Sequence, residues 1–182
     1  FSEDGSVLAV GYGQLATLWE CVTPSTSLTL KHTLSHGSKH ERVTKLRIVS
    51  KYLITATPNK MTVWDLVSLS PVCTHNVTVS SIISPPTHTT GSSRFAAMIR
   101  IPASSGSPKG VAVVAEFDCL RPSKPLKIEW VGRVEKQGEM CFVNSRNEES
   151  GKESSVLVYL NDLFELKTLR GFADPHSHSN SH

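Results

Sequence analysis

A tryptophan followed by an acidic residue occurs twice in this 182-residue chain, as Trp19-Glu20 and Trp64-Asp65, 45 residues apart. Each pair ends a short apolar run that follows a cluster of turn residues. Self-similarity at this period, with each unit closing on tryptophan and an acid, is typical of four-stranded blades arranged around a central axis. The spacing therefore predicts a repeat protein built from small β-sheets.

Short apolar runs alternate with turn residues through both units, and the helical period of about 3.6 residues is almost absent. In the first unit, strands are predicted at residues 7–10 and 15–20, joined by the hairpin turn Gly11-Tyr12-Gly13-Gln14. In the second unit, strands are predicted at residues 43–49, 52–57 and 61–66. We therefore expect an all-β chain.

Two further units have a weaker pattern. The third unit is predicted as strands at residues 94–101, 111–118 and 126–134, where Trp130 marks the closing strand without an acidic residue after it. The fourth is predicted as strands at residues 140–143, 156–160 and 163–168 and has no tryptophan. Stretches rich in Ser, Pro, Gly and Thr are expected to form surface loops at residues 84–93, 102–110 and 144–155.

Three or four blades do not readily close a ring, because propellers have about four to eight blades. The chain is therefore predicted to be a partial WD-repeat β-propeller, the last part of a larger ring, with its blades over residues 1–171. It opens on Phe1 within a strand-and-turn pattern, so we expect it to be truncated there. Residues 172–182 form a Ser/His/Asn-rich tail that has nothing apolar to bury and is expected to be disordered.

The cysteines and the apolar runs bear on the cellular compartment. Four cysteines occur singly, without the pairing or density of a disulfide-rich secreted domain, at Cys21, Cys73, Cys119 and Cys141. We therefore expect a reducing, intracellular compartment. No run of about 18 apolar residues occurs, so neither a membrane-spanning helix nor a membrane partner is expected.

Two patterns in the sequence could carry chemistry. Residues Gly11-Tyr12-Gly13-Gln14-Leu15-Ala16 fit the G-x-G-x-x-A dinucleotide fingerprint, but the residues after them do not favour the helix that such a site needs. His32, His36 and His40 recur every four residues, but Gly37 and nearby serines favour a solvated loop over a zinc-binding helix. We predict no catalytic residue, cofactor, metal or small-molecule substrate, and the chain is not expected to be an enzyme.

Positive charge is concentrated between residues 31 and 60, where seven Lys and Arg residues accompany a single acid, Glu41. In the predicted strand at residues 43–49, alternation places Lys45 and Arg47 on one face and Leu46 and Ile48 on the other. A cationic face of this kind can contact RNA phosphate, and an ordinary solvated propeller rim is the alternative. The candidate RNA contacts are Lys39, Arg42, Lys45, Arg47 and Lys51.

Several stretches make the chain similar to one family of WD-repeat proteins. The sequence resembles the second propeller of the WD repeat-containing protein 75 family, and the resemblance covers residues 1–171. The stretches that carry it are Phe1-Ser2-Glu3-Asp4-Gly5-Ser6, Leu8-Ala9-Val10, Thr17-Leu18-Trp19, Ser50-Lys51-Tyr52-Leu53, Ala56-Thr57 and Arg121-Pro122-Ser123-Lys124-Pro125-Leu126.

The resemblance implies a non-catalytic scaffold in the nucleolus, and hence in the nucleus. It implies a component of the small-subunit processome that acts in pre-ribosomal RNA processing and supports transcription by RNA polymerase I. The implied partners are other WD-repeat proteins of that assembly, with pre-ribosomal RNA and small nucleolar RNA. The alternative is a generic WD-repeat adaptor for protein interactions outside the nucleolus.

Overall fold

The computed structural model describes residues 1–22, 27–38, 40–84, 94–101, 111–119, 139–146, 153–160 and 166–169. These residues form strands joined by turns, and no helix among them is long and apolar enough to cross a membrane. The strands group into four antiparallel sheets. The predicted all-β class is therefore confirmed.

The first two sheets contain the two tryptophan–acid pairs. Their strands are β1 (Val7–Tyr12), β2 (Leu15–Val22), β3 (Ser27–Ser35), β4 (Lys45–Val49), β5 (Tyr52–Ala56), β6 (Met61–Asp65) and β7 (Ser70–His75). The first sheet has the order β1-β2-β3, and the second is a meander in the order β4-β5-β6-β7. The sequence pattern predicts all of these strands except β3 and β7.

The third sheet contains β8 (Thr78–Ile83), β9 (Arg94–Ile101) and β10 (Val111–Asp118) in the order β10-β9-β8. The two predicted strands at residues 94–101 and 111–118 coincide with β9 and β10, whereas β8 was not predicted. The predicted strand at residues 126–134 and the predicted tail at residues 172–182 lie outside the described residues.

The fourth sheet has the order β11-β12-β13, with strands at Glu139–Arg146, Glu153–Leu160 and Leu166–Leu169. The first two strands pair along their full length, as far as Arg146 opposite Glu153. The prediction of a loop over residues 144–155 is therefore wrong at both of its ends. Backbone pairing there extends through serines and other polar residues that the apolar pattern does not mark.

One register recurs in the first three sheets and places an acidic residue at the same point of each. The pairs that contain the acid are Val7 with Glu20, Tyr52 with Asp65, and Arg94 with Asp118. The adjacent pairs are Leu8 with Trp19, Leu53 with Trp64, and Phe95 with Phe117. Phe117-Asp118 therefore holds the tryptophan–acid position of the third sheet. Trp130, which the sequence predicts as the marker of the closing strand, lies outside the described residues.

The sheets pack face to face in chain order, with a hydrophobic cluster between each neighbouring pair. Because side chains alternate across a strand, one strand serves two clusters. In β5, Leu53 faces the first sheet and Ile54 faces the third. In β9, Phe95 faces the second sheet and Ala96 faces the fourth. This successive packing of sheets is that of a partial propeller.

Gly11 allows the hairpin between β1 and β2 to approach the second sheet closely. A Cβ atom at Gly11 would lie 2.9 Å from Val43 Cγ1 and 3.1 Å from Leu46 Cδ2, which is too close for a larger residue without rearrangement. The chain then continues into β2, so no helix follows the Gly-x-Gly pattern. Sheet packing therefore accounts for Gly11 in this pattern.

A buried hydrogen bond fixes the indole of Trp64. Its Nε1–H group donates to Thr55 Oγ1 at 2.9 Å, across from β6 to β5. Both side chains are buried, so no water replaces this acceptor if it is lost. The bond therefore orients the ring that fills the interface between the first two sheets.

Replacement of Thr55 by Val should lower the free energy of unfolding by about 1–3 kcal/mol, because the buried indole N–H of Trp64 loses its acceptor. Thr74→Val is the matched control. Thr74 is exposed on β7, where water can replace its contact with the Thr62 hydroxyl. Urea unfolding followed by tryptophan fluorescence measures both variants, and equal losses would contradict the assignment.

Candidate nucleic-acid interface

The predicted alternation of charged and apolar residues along β4 is present in the structure. Lys45 pairs with Ala56 and Arg47 pairs with Ile54, so both cations share the face of the second sheet that packs towards the third. Ile48 is on the opposite face, in the cluster with the first sheet, and Leu46 packs against that cluster. Lys45 and Arg47 are exposed.

The position of β4 in the fold explains why this face can be charged. β4 and β8 are terminal strands of their sheets, and the two strands contact each other. β1 also contacts β4, and β11 contacts β8, so the sheets converge along these strands. Lys45 and Arg47 therefore lie on the inner side of the arc, where the faces of adjacent sheets are not fully covered.

Arg47 and Arg42 have different surroundings. The Nε–H group of Arg47 donates to Ser84 Oγ at 3.1 Å, which connects β4 to the residue that follows β8. Arg42 is exposed in the loop before β4. That loop is held in place because the Val43 N–H donates to the Gly13 carbonyl at 2.7 Å. The loop before β4, which this hydrogen bond holds in place, thus carries Arg42, and the strand itself carries Lys45 and Arg47.

The acid of this segment is neutralised within the fold. Glu41 Oε2 lies 2.7 Å from Lys60 Nζ, and both side chains are about one-quarter exposed. Glu41 is the acidic residue that accompanies the cations between residues 31 and 60. Because Lys60 pairs with it, the positive charge of Arg42 and Lys45 is not cancelled by this carboxylate.

Lys51 lies at the other end of β4 from Lys45. β4 spans five residues, so its ends are separated by about 13 Å at 3.3 Å per residue. Lys51 Nζ lies 3.8 Å from Asp65 Oδ2 and 5.4 Å from the ring centroid of Tyr52. The structure therefore places Lys51 apart from Lys45 and gives it its own partners. Lys39 lies outside the described residues.

The three histidines do not lie together on one helix face or in one solvated loop. His32 belongs to β3, whereas His40 is exposed in the following loop. His36 is buried, and its backbone N–H donates to the Gln14 carbonyl at 3.0 Å. The prediction of a solvated loop is therefore wrong for His36. Among the described residues, no group of three or more His, Cys, Asp or Glu side chains could hold a metal ion.

His36 packs against the tryptophan of the second sheet. The two rings are perpendicular, with centroids 5.4 Å apart, so the edge of one ring faces the plane of the other. Burial is the main cause that lowers the pKa of His36, nearby Lys60 lowers it further, and Glu41 acts in the opposite direction. The neutral imidazole is therefore the form that suits the fold.

Acidification should destabilise the protein through His36. Its pKa is lowered in the folded state, so the unfolded chain takes up the proton first as the pH falls through about 6.5. The stability that neutral His36 contributes is present above this pH and is lost below it. We expect His36→Gln to lose less stability than the wild type between about pH 7.5 and pH 5.5.

Urea unfolding at the two pH values measures this effect. His40→Gln is the matched control, because His40 is exposed in the same loop. Half-buried His75, whose pKa burial also lowers, is retained in every variant, so the difference between variants isolates His36. The same loss of stability in His36→Gln and the wild type would contradict the assignment.

Cys73 and His75 form a pair that sequence reasoning did not single out. Both lie on β7, and Cys73 Sγ is 3.6 Å from His75 Nε2. Burial raises the pKa of the Cys73 thiol and lowers that of His75. Both groups are thus favoured in their neutral forms, whereas a nucleophilic cysteine needs a lowered pKa. The pair is not activated for catalysis.

Comparison with known families finds a match that covers more than half of the chain. A family model described as the second β-propeller of WD repeat-containing protein 75 matches residues 1–105. A search of curated proteins found no match. The matched region includes the first two sheets and the strands β8 and β9 of the third.

Solved structures share the fold. The chain is similar to the N-terminal domain of Nup159 with 14% identity and a TM-score of 0.51, over 97% of this chain and 44% of that one. It is similar to a chain of the mitotic checkpoint complex with 17% identity and a TM-score of 0.51, over 93% and 48%. It is similar to Saccharomyces cerevisiae Sqt1 with 16% identity and a TM-score of 0.55, over 90% and 44%. The chain thus spans less than half the length of each of these structures, and at such identities the likeness shows the fold alone.

Proposed function

Because the chain belongs to the family of the second β-propeller of WD repeat-containing protein 75, we propose that it is a non-catalytic scaffold in ribosome biogenesis. The proposed setting is the nucleolar small-subunit processome, with roles in pre-ribosomal RNA processing and in support of RNA polymerase I transcription. The family match over residues 1–105 carries the proposal. The proposed partners are other WD-repeat proteins of that assembly, pre-ribosomal RNA and small nucleolar RNA.

The packing of the sheets supports a scaffold role. An apolar cluster holds each sheet to the next, so the turns at the sheet ends have fixed relative positions. A rigid stack of this kind presents several separate surfaces to several partners at once. The proposed mechanism is geometric, and no covalent bond is made or broken.

The proposed RNA contact uses the cations on and before β4. Arg42 and Lys45 are exposed, Arg47 is exposed beside Ser84, and Glu41 is already paired with Lys60. Cations in this state can exchange their counterions for RNA phosphates, which gives affinity that depends on salt but not on sequence. We assign Lys51 a smaller contribution to RNA binding, because Asp65 lies beside it. The contribution of Lys39 remains a prediction from the sequence.

Substitution of Lys45 and Arg47 by Gln should weaken RNA crosslinking in cells and lower the salt dependence of RNA binding in solution. For single-stranded RNA, loss of two phosphate contacts should reduce the slope of log K against log salt by about 1.4. Lys31→Gln is the matched control, because it removes an exposed cation that is paired with Glu20 on the first sheet and is not among the proposed RNA contacts. Unchanged crosslinking and slope in the double variant would remove β4 from the RNA surface.

The scaffold role can be tested by the location of the tagged protein and by sequencing of the RNA crosslinked to it. We expect a nucleolar signal, sedimentation with pre-ribosomal particles and enrichment of the 5′ leader of pre-ribosomal RNA. The Lys45→Gln, Arg47→Gln variant serves as the paired sample, since a scaffold held by protein contacts keeps its nucleolar signal when RNA contact falls. A diffuse cytoplasmic signal without this RNA would contradict the proposal and favour a generic adaptor.

A further inference from the structure

Ser84 follows the last residue of β8 and touches the cationic face of β4. Its hydroxyl oxygen accepts a hydrogen bond of 3.1 Å from the Arg47 Nε–H group. The pairing of β8 with β9 ends at Ile83, so Ser84 lies beyond that ladder. Ser84 is partly exposed and Arg47 is exposed. The hydrogen bond is therefore a surface contact between the second sheet and the end of a strand of the third.

Ser84 is followed in the sequence by a proline. Serine followed by proline is the motif that proline-directed protein kinases modify. The proline disfavours a helical backbone in the residue before it, which favours an extended conformation at Ser84. Ser84 thus combines a kinase motif with partial exposure and a position beyond the end of its strand.

Phosphorylation of Ser84 would place negative charge beside Arg47. In this reaction the Ser84 Oγ atom bonds to the γ-phosphorus of ATP, the bond from that phosphorus to the β,γ-bridging oxygen breaks, and ADP leaves. The hydroxyl proton passes to the carboxylate base of the kinase. The product carries a charge of about −2 and strong acceptor oxygens.

The surroundings of Ser84 suit such a phosphate. A guanidinium group presents its N–H donors in a planar fork that binds phosphate through paired hydrogen bonds. The Nε–H group of Arg47 already reaches the atom to which the phosphate would be attached. Lys45 shares the face of Arg47, and the carboxylate of Glu41 is paired with Lys60. The local charge therefore favours the phosphorylated form.

Another serine has the same motif and the opposite surroundings. Ser70-Pro71 begins β7, and Ser70 pairs with Asp65 in the ladder between β6 and β7. Hydrogen bonds from the backbone N–H groups of Ser68 and Val67 lower the pKa of Asp65, so its carboxylate is charged at neutral pH. A phosphate on Ser70 would therefore be repelled by the residue opposite it.

We propose that Ser84 is a phosphorylation site and that Arg47 holds its phosphate, which turns off the cationic face of β4 as an RNA contact. That face carries Lys45 and Arg47, and a phosphate with a charge of about −2 brings the sum close to zero. The effect on RNA rests on the proposed function, whereas the modification and its pairing with Arg47 do not. The added partner is a proline-directed kinase, with ATP as the phosphoryl donor.

Treatment of the whole purified chain with a proline-directed kinase and Mg²⁺–ATP, followed by peptide mass spectrometry, tests the modification. We expect more phosphate on Ser84 than on Ser70. Ser84→Ala should remove the main phosphopeptide, and Ser70→Ala is the matched control that keeps it. A chain that stays unmodified at Ser84, or that is modified preferentially at Ser70, would overturn the proposal.

Phosphorus NMR tests whether Arg47 holds the phosphate. A serine phosphate releases its second proton with a pKa of about 6. A guanidinium bonded to the phosphate should lower this pKa by about 1. We expect Arg47→Gln to restore it, whereas Lys31→Gln, which removes a cation paired with Glu20 on the first sheet, should leave it lowered. Equal titration of the phosphorylated wild type and Arg47→Gln would overturn the pairing.

Binding of a uridine homopolymer at several salt concentrations tests the effect on RNA. We expect phosphorylation to weaken binding about ten-fold or more near 0.1 M salt and to reduce the slope of log K against log salt by about 1.4. Equal binding of both forms, with weaker binding by the Lys45→Gln, Arg47→Gln variant, would overturn the switch and leave the RNA contact standing. Wild-type binding by that double variant would instead overturn the RNA contact and the switch with it, and mass spectrometry and NMR would still decide the modification.

Discussion

Burial of the second and third sheets from both sides is the constraint on which this structure depends. All five residues of β5 are buried, because alternate side chains enter the clusters with the first and the third sheet. A strand in this position must be apolar on both faces, and a polar group such as the Thr55 hydroxyl is tolerated because it is hydrogen bonded to Trp64. The second sheet therefore depends on its neighbours, and the fold is cooperative between sheets.

The same constraint explains where charge can be placed. β4 is at the inner side of the arc, and on the face turned towards the third sheet only its last residue, Val49, enters the cluster, so Lys45 and Arg47 can remain exposed there. A strand fixes the spacing of these cations more firmly than a loop could. The cations that we propose to contact RNA are therefore held at fixed positions by a strand that is also packed against the apolar clusters.

Much of this architecture is predictable from the sequence, for physical reasons. The pattern of apolar runs and turn residues around Trp19 and Trp64 is strong, because both tryptophans lie in strands that have a paired strand on each side. The bounds of β9 were predicted because its residues are almost continuously apolar, from Phe95 onwards. These features depend on local composition, which a single sequence displays directly.

Other features depend on contacts that a single sequence does not display. β3 is mostly exposed and mixes Ser, Thr and Lys with its leucines, although the alternation of Leu28, Leu30 and Leu34 is a signal that could have found it. The burial of His36 depends on Trp64, which is distant in the chain. The distance in space between Lys51 and Lys45 could not be predicted from their closeness in sequence, because the extended strand β4 lies between them.

The shared register of the first three sheets has a consequence for how such a protein can change. Trp64 follows Trp19 after 45 residues, whereas Phe117 follows Trp64 after 53, yet the paired positions are equivalent. The number of residues between equivalent positions of successive sheets can therefore differ while the strand pairing within each sheet stays the same. Additional residues between strands cost only a small increment of loop-closure entropy. A segment between two strands, such as the one between Ile83 and Arg94, can therefore change in length or sequence without a change in the packing of the sheets. Insertions of this kind can add new surfaces to the same fold.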